Sequence, residues 1–253
     1  MTLQRSLRII LICHILATPS FADTKVHWSY TGDTGPAHWG ELSEDFASCR
    51  VGKNQSPIDI ETDRLIEADL GTLIFSYQGE STEIINNGHT LQANVTPGST
   101  MQVKGETFEL KQFHMHSPSE HQINGESFPL ELHFVHSNDA AELAVVGMLF
   151  REGVPHKDLV RIVEKAPKQA GGTVPLVKKL EDIFPHVKLA VESYYRYSGS
   201  LTTPPCTEGV RWYVYPVIRT VSKEQIAGYI DLIGTDARGP MPLNARIVLE
   251  AAD

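Results

Sequence analysis

The chain has little of several features that mark large classes of protein. It has 3 cysteines in 253 residues, fewer basic than acidic side chains (formal net charge −9), and no run of eighteen apolar residues beyond its N-terminus. The negative charge argues against a nucleic-acid partner, since the phosphate backbone favours basic surfaces. Repeats and low-complexity linkers are absent from the sequence as well. We therefore expect one soluble globular domain, or at most two, long enough to bury a core and without a stable membrane span.

Two short catalytic motifs are also missing. The sequence contains no Gly-x-Ser-x-Gly and no His-Glu-x-x-His. The first presents the nucleophile of many serine hydrolases, and the second holds the zinc of many metalloproteases. Neither chemistry is therefore indicated.

The first 22 residues have the composition of a secretory signal peptide. Arg5 and Arg8 precede a mostly apolar run from Ile9 to Ala17, and Ser20-Phe21-Ala22 ends in small residues suited to cleavage before Asp23. A membrane anchor is the alternative, but the apolar run is short for a bilayer. The prediction is a periplasmic or secreted protein, with residues 1–22 as signal and 23–253 as the mature domain.

Cleavage would leave an even number of cysteines. Cys13 would depart with the signal, and Cys49 and Cys206 would remain. In an oxidising compartment such a pair is most simply a disulfide, which would close a long loop and stabilise the fold by about 4 kcal/mol. Two unpaired buried thiols are the alternative.

The hydrophobic pattern indicates an α+β domain dominated by a large sheet. Residues 23–57 are irregular and rich in aromatics, which favours a docked arm over a disordered tail. Strands are predicted at 73–77, 81–95 (with a turn at Asn86-Asn87-Gly88), 101–103, 107–116, 128–136, 144–150 and 212–218. Helices are predicted at Lys157–Lys165, Pro175–Phe184 and Ser222–Ile233, the last opening with a Ser222-x-x-Gln225 capping box.

Three histidines on two of these strands form a candidate metal site. His114 and His116 share a strand face because strand side chains alternate, and His133 lies on a following strand. Gln112 and Glu131 stand two residues before His114 and His133, where each could accept a hydrogen bond from the second ring nitrogen of a metal-bound imidazole. Three neutral imidazoles with one open position are typical of catalytic zinc. The alternative is a half-polar strand without a ligand.

The same alternation carries a further expectation about which side chains share the ligand face. It places Phe108 and Leu110 on the face of Gln112, His114 and His116.

Several stretches occur in the order of one family's motifs. They are Gln112–His116 with Ser119-Glu120-His121, Glu131–His136, Ser200–Glu208, Asn86–His89, Gln55–Asp59, and the arm with Trp28, Tyr30, Gly35-Pro36 and Trp39. Together they resemble the α-class carbonic anhydrases over about residues 26–249, and the signal and cysteine pair resemble the exported bacterial type. The resemblance implies a single domain on a large, mostly antiparallel twisted sheet with a few peripheral helices.

The resemblance also implies a reaction and its residues. His114, His116 and His133 would hold Zn²⁺, whose bound hydroxide would attack CO₂ to give bicarbonate and a proton. Thr202 and Glu120 would orient this nucleophile, and activated esters could be cleaved as a side activity. The CO₂ pocket would be walled by Val135, Val145, Leu201, Thr203 and Trp212. The partners implied are small molecules, CO₂ and bicarbonate, and the enzyme would be a monomer or homodimer.

Proton removal is implied for a histidine outside the metal site. His89, beside a glycine turn, resembles the family's proton shuttle, since an exposed imidazole titrates near neutral pH. Tyr30, Asn87 and Gln92 would order the water chain to it. A solvated loop histidine is the alternative. His121 and His136 are expected to be structural.

Two other function classes remain open. A catalytically silent relative acting as a binding module would usually have lost a zinc histidine, whereas this chain keeps all three. A secreted ester hydrolase would need a specificity pocket that the sequence does not indicate. One departure from the family is Asp236-Ala237-Arg238, where an Asn or similar residue usually precedes the arginine. It leaves undetermined the partner of the second ring nitrogen of His116, which in the family is often a backbone carbonyl at this place.

Overall fold

The computed structural model describes residues 26–180 and 190–251. The predicted signal peptide, 1–22, lies outside the described residues. Within them, no helix has both the length and the apolar character needed to cross a membrane.

Short strands dominate the described chain. The strands are β1 Asp59–Ile60, β2 Ile66–Ala68, β3 Ile74–Tyr77, β4 Glu80–Asn86, β5 Leu91–Val95, β6 Ser99–Val103, β7 Glu106–His116, β8 Gln122–Ile123, β9 Glu126–Ser127, β10 Leu130–Ser137, β11 Leu143–Glu152, β12 Thr173–Lys179, β13 Tyr195–Ser200, β14 Glu208–Val214, β15 Arg219–Val221 and β16 Leu249–Ala251. The α-helices are α1 Trp39–Leu42, α2 Ser48–Val51, α3 Lys157–Lys165 and α4 Lys223–Ile233, and 3₁₀ turns lie at Gly32–Thr34, Glu44–Phe46 and Thr62–Arg64.

One large sheet organises the described residues. Its main path runs β12-β4-β5-β7-β10-β11-β14-β13-β16-β2, with β6 paired to β7, β3 paired to β6, and β15 paired to β11. Most of these pairs are antiparallel, and the parallel ones are β11 with β14 and β15, and β16 with β2. The predicted fold class, a single α+β domain on a mostly antiparallel sheet, is confirmed.

The central strands separate two hydrophobic clusters. One contains Phe113, Phe134 and the buried faces of α3 and α4, and the other contains Val145 and Trp212. The helices at Lys157–Lys165 and after Ser222 were predicted correctly, and Ser222 and Gln225 form the expected capping box. The sheet therefore presents one face to the helices and leaves the other for the site.

The predicted face of β7 is wrong, because a β-bulge interrupts the alternation at Lys111. In the pairing with β10, Val135 lies opposite Gln112, but the next residue, His136, lies opposite Leu110. An extra residue in one strand reverses the side to which later side chains point. Phe108 and Leu110 therefore join the helix-side cluster, and the histidines after the bulge face the opposite side.

The helix predicted at Pro175–Phe184 is also wrong from Pro175 to Lys179, whereas Leu180 is helical and residues 181–184 lie outside the described chain. Residues Thr173–Lys179 form an edge strand paired antiparallel with β4, and the register shifts between Pro175 and Lys178. Proline lacks the N–H that a ladder needs and is tolerated at edges and bulges. A short apolar run is equally compatible with a helix and a strand. Here it forms a strand because it can pair with the edge of β4.

The strand predicted at 212–218 has different bounds. β14 begins earlier, at Glu208, and stops at Val214, and β15 begins separately at Arg219. Pro216 lies in the gap and cannot donate to a ladder, which accounts for the break.

The N-terminal arm is docked by its aromatics, as predicted. Trp28, Tyr30 and Trp39 meet edge to face with ring centroids 5.2 to 5.7 Å apart. They pack around Cys49 and Cys206. The arm is thereby fixed beside the segment that carries Thr202.

Candidate metal centre

The pairing of β7 with β10 brings the three predicted histidines together. His133 lies directly opposite His114, and Glu131 lies opposite His116. The three ring centroids are 4.8 to 5.2 Å apart, and one nitrogen from each ring lies within 4.8 Å of the others. Three convergent imidazoles from two adjacent strands are suited to a tetrahedral metal with one open position.

Each ring is oriented by an acceptor on its other nitrogen. His114 Nδ1 is 2.8 Å from Gln112 Oε1, and His133 Nε2 is 2.8 Å from Glu131 Oε1. The acceptors predicted two residues before each ligand are therefore in contact with it. These contacts leave His114 Nε2 and His133 Nδ1 available for a metal.

The third acceptor is one that the sequence left open. His116 Nδ1 is 2.8 Å from the backbone carbonyl oxygen of Asp236, 120 residues along the chain. The side chain of Asp236 accepts hydrogen bonds from the Ser117 N–H (2.7 Å) and the Tyr229 hydroxyl (2.6 Å), which fix the carbonyl in place. Because any residue offers a carbonyl, no side-chain pattern could have identified this partner.

Burial keeps the imidazoles in the form that binds metals. Desolvation lowers the pKa of His133 to about 4, against an opposing effect of Glu131. Desolvation also holds the pKa of His114 well below its usual range, with smaller contributions from His116 and His133. Neutral imidazole is the metal-binding form, so these rings need lose no proton on binding near neutral pH.

Two buried polar atoms in the centre lack partners among the described residues. They are His116 Nε2 and Glu120 Oε2, which lie 3.6 Å apart. Leaving a buried polar atom unpaired costs about 1–3 kcal/mol. A cation held by the three rings would satisfy the nitrogen, so the residues fit a metal.

Glu131 connects the ligands to the adjacent loop. Its Oε2 accepts from the backbone N–H groups of Glu120 (2.9 Å) and His121 (2.8 Å), and its Oε1 also lies 2.7 Å from His121 Nδ1. A Cβ on Gly147, which lies opposite His133 in β11, would come within 2.9 Å of Glu131 Oε1, so glycine leaves room for the carboxylate. His121 is fully buried and hydrogen-bonded, as expected of a structural residue.

Glu120 and Thr202 come together from distant parts of the chain. Glu120 Oε1 accepts from the Arg238 N–H at 3.0 Å, and burial raises the pKa of Glu120 to about 8, opposed by hydrogen bonding from the Thr202 hydroxyl and the Arg238 N–H. Glu120 Oε2 has no fully formed hydrogen bond in the described chain. Catalytic hydrogen bonds commonly tighten only in the reacting complex.

Two of the predicted proton-exit residues, His89 and Asn87, lie on the turn between β4 and β5. The His89 ring is half-buried and stacks on Trp28 with centroids 3.7 Å apart, and burial lowers the pKa of His89, with a further effect of His27. The Asn87 side chain accepts from the N–H groups of His89 and Thr90 (2.9 Å each), so it shapes the turn that carries His89.

Tyr30 and Gln92 complete that group. The Tyr30 hydroxyl is buried without a partner among the described residues, and burial raises the pKa of Tyr30, with contributions from Glu120 and Asp236. Gln92 lies opposite His114 in the β5–β7 pair and donates to Asn94 Oδ1 at 2.8 Å. Both side chains therefore lie near the ligands.

The residues predicted to wall the substrate pocket gather on the ligand side of the sheet. Val145 and Trp212 are buried in the second hydrophobic cluster, against which Val135 and Leu201 are partly buried. The Trp212 ring lies 4.9 Å from the His133 ring. Thr203 is half-buried beside Thr202. An apolar surface thus adjoins the metal ligands.

Cys49 and Cys206 form the predicted disulfide, which spans 157 residues. It joins the arm to the loop four residues after Thr202.

Replacing both cysteines with alanine should lower the free energy of unfolding by about 3–5 kcal/mol, because the bridge restricts the unfolded chain. Urea unfolding of the variant and of the oxidised parent checks this, and reduction of the parent should reproduce the loss. Equal midpoints would contradict the expectation.

Similar proteins agree with this geometry. Residues 34–253 match the family described as eukaryotic-type carbonic anhydrase. A carbonic anhydrase of Pectobacterium carotovorum is 41% identical over 98% of this chain and 100% of its own length. A hyperthermostable carbonic anhydrase from a hydrothermal vent chimney is 47% identical, with a TM-score of 0.83 over 89% of this chain and 100% of that one.

A third similar structure holds an inhibitor. The α-carbonic anhydrase of Thermovibrio ammonificans in complex with sulfanilamide is 37% identical, with a TM-score of 0.80 over 89% of this chain and 99% of that one. The family match covers most of the chain, and the histidine triad fits the zinc site that such enzymes use. The chain therefore belongs to the α-class carbonic anhydrases, the zinc lyases that interconvert carbon dioxide and bicarbonate.

Proposed function

We propose that this enzyme hydrates CO₂ at a zinc ion held by His114, His116 and His133. The observation that carries the proposal is the convergence of three oriented imidazoles, one with an unpartnered buried nitrogen. When bound, zinc supplies a water whose pKa falls to about 7, as is known for carbonic anhydrase, so that a strong nucleophile exists at neutral pH.

Thr202 and Glu120 orient the attack in this proposal. A hydroxyl has one proton to donate and two sites that accept. With its proton directed to the Glu120 carboxylate, Thr202 can accept only from the nucleophile, which turns a lone pair toward the substrate. The hydrogen bond from Thr202 lowers the pKa of Glu120, and a cation held by His116 beside Oε2 would lower it further, which supports an ionised Glu120 as the acceptor.

The apolar wall beside His133 receives the substrate. CO₂ has no net charge or dipole, so a surface of Val135, Val145, Leu201 and Trp212 suits it. Thr203, half-buried and next to Thr202 in the chain, would complete this wall. Bicarbonate is charged and is poorly suited to such a wall, which favours its release. The same nucleophile would cleave activated esters as a side activity.

A CO₂-hydration assay on the mature protein tests this proposal. Stopped-flow measurement with a pH indicator should show activity that disappears on zinc removal, returns with one equivalent of zinc, and is inhibited by sulfanilamide. Full activity after verified zinc removal would contradict the zinc site. A zinc-loaded but inactive protein would favour a silent binding module.

His89 is proposed to carry the proton from the site to solvent. The ring must be neutral to accept the proton. Because the pKa of His89 is lowered, its ring stays neutral down to a lower pH than an ordinary histidine. Its stacking on Trp28 holds it at the edge of the arm, next to solvent. Tyr30, Asn87 and Gln92 line the approach.

His89→Ala should lower kcat by about 10- to 100-fold in dilute buffer, because general acid–base groups contribute about this much or more. The value of kcat/KM for CO₂ should change little, since it reports steps before proton release. Imidazole buffer should restore most of the rate. The control is His38→Ala, which removes an exposed histidine of the N-terminal arm and should have no effect on kcat. An unchanged kcat in dilute buffer would exclude the shuttle.

Export is proposed from the N-terminal segment and the disulfide. Disulfides persist in oxidising compartments, so the Cys49–Cys206 bridge supports a periplasmic or secreted enzyme. N-terminal sequencing of the enzyme from a bacterial host should begin at Asp23. A monomer or homodimer is compatible with the proposal.

A further inference from the structure

A continuous set of buried hydrogen bonds runs from a metal ligand to the loop that carries Thr202. The contacts join His133 Nε2 to Glu131 Oε1 (2.8 Å), Glu131 Oε1 to His121 Nδ1 (2.7 Å), His121 Nε2 to the Tyr197 hydroxyl (2.7 Å), the Tyr197 hydroxyl to Ser56 Oγ (2.8 Å), and Ser56 Oγ to the Ser200 N–H (3.0 Å). Ser200 stands two residues before Thr202. The two ends are therefore the proposed ligand His133 and the backbone of Ser200, which leads directly into the segment carrying Thr202.

These hydrogen bonds are costly to break because they are buried. The residues between the ends are at most 1% exposed, so water cannot replace a lost partner. A buried donor or acceptor left alone costs about 1–3 kcal/mol, and networks in a low dielectric transmit such a loss to their neighbours. Removing one hydroxyl in the middle should thus affect both ends.

The backbone of β13 leaves room for the Ser56 hydroxyl at Gly199 and Ser200. A Cβ on Gly199 would lie 2.1 Å from Ser56 Oγ, so only glycine lets the hydroxyl reach β13. The β13–β14 register shifts between Gly199 and Ser200. Ser200 then makes a second contact, accepting the Ser56 N–H at its Oγ (2.9 Å). Two reciprocal bonds tie Ser56 to the start of the Thr202 loop.

We propose that Tyr197 and Ser56 are positioning residues that couple zinc retention at His133 to the placement of Thr202. This inference rests on the proposed zinc site. It assigns a part in metal binding to Ser56, which contacts neither a ligand nor the acceptor of a ligand. Tyr197 is the shared member, since its hydroxyl meets both His121 and Ser56.

Zinc release to a chromogenic chelator tests the metal end without using activity. Changing an outer partner of a metal ligand typically costs about 10- to 100-fold in affinity, and these residues lie further out. We expect Tyr197→Phe and Ser56→Ala each to release zinc about 3- to 10-fold faster. The double variant should release zinc more slowly than the product of the two single accelerations predicts, because both changes break the same hydrogen bond.

Tyr194→Phe is the matched control. Tyr194 is a fully buried tyrosine three residues away, and its hydroxyl donates to the carbonyls of Leu70 and Gly71, in the other hydrophobic cluster. It should release zinc at the parent rate. A similar acceleration in Tyr194→Phe would show general loosening and overturn the proposal. Should Tyr197→Phe fail to fold, Ser56→Ala alone decides it.

The Thr202 end is tested by a double-mutant cycle in kcat. Tyr197→Phe should lower kcat in the parent but have little further effect in the Thr202→Val background, because Thr202 transmits the effect. Multiplicative losses would overturn the coupling. Parent-like zinc release by Ser56→Ala, with one zinc bound per parent chain, would overturn this inference alone, whereas a parent chain that bound no zinc would overturn the proposed function as well.

Discussion

His133→Ala is expected to abolish zinc retention and to reduce kcat/KM for CO₂ hydration by more than about 1,000-fold. Zinc at this site would have to lower the pKa of its bound water to about 7, and the two remaining histidines would hold it too weakly for this. The substitution also leaves Glu131 Oε1 without its contact to the ring, although His121 still pairs with it. Zinc content by metal analysis and stopped-flow activity measure the two effects.

His136→Ala is the control for that experiment. His136 lies on the same strand and is equally buried, but it faces the helix-side cluster, where its Nε2 is 2.7 Å from the Tyr77 hydroxyl. Losing it should lower stability and leave one zinc per folded chain. If both variants kept zinc and activity, His133 would not be a ligand. If both lost zinc, the loss would reflect unfolding.

Thr202→Val is expected to reduce kcat/KM by about 100-fold while zinc stays bound. Valine keeps the shape of threonine but removes the hydroxyl that hydrogen-bonds to Glu120 and that we propose orients the nucleophile. Losing an oriented hydrogen bond in the reacting complex costs about 2.7 kcal/mol, which corresponds to this factor. The CO₂-hydration rate at saturating zinc gives the measurement.

The matched variants for Thr202 separate orientation from packing. Thr202→Ser retains the hydroxyl and should keep most of the activity. Glu120→Gln keeps the shape of the carboxyl but can no longer accept at both oxygens, so it should resemble Thr202→Val. An active Thr202→Val enzyme, or an inactive Thr202→Ser enzyme with zinc bound, would contradict the orienting role.

The three histidines of the candidate metal site and two of their acceptors could be predicted because their positions follow from short-range periodicity. His114 and His116 stand two residues apart. Gln112 likewise stands two residues before His114, and Glu131 two residues before His133. Residues at this spacing share a strand face. These positions all lie beyond the bulge at Lys111, so the reversal of sides leaves their relations intact. The prediction failed for Phe108 and Leu110, which lie before it.

What the sequence by itself determined is therefore local: the three histidines of the candidate metal site, the capped helix after Ser222 and the cysteine pair. Only the tertiary structure decided the carbonyl of Asp236 as the partner of His116, the strand at Thr173–Lys179 and the contact of Tyr197 with Ser56. Each of these joins segments far apart in the chain through backbone groups, a free strand edge or a close approach at Gly199. Such contacts leave no periodic pattern, since any residue carries a carbonyl and an edge strand accepts many sequences.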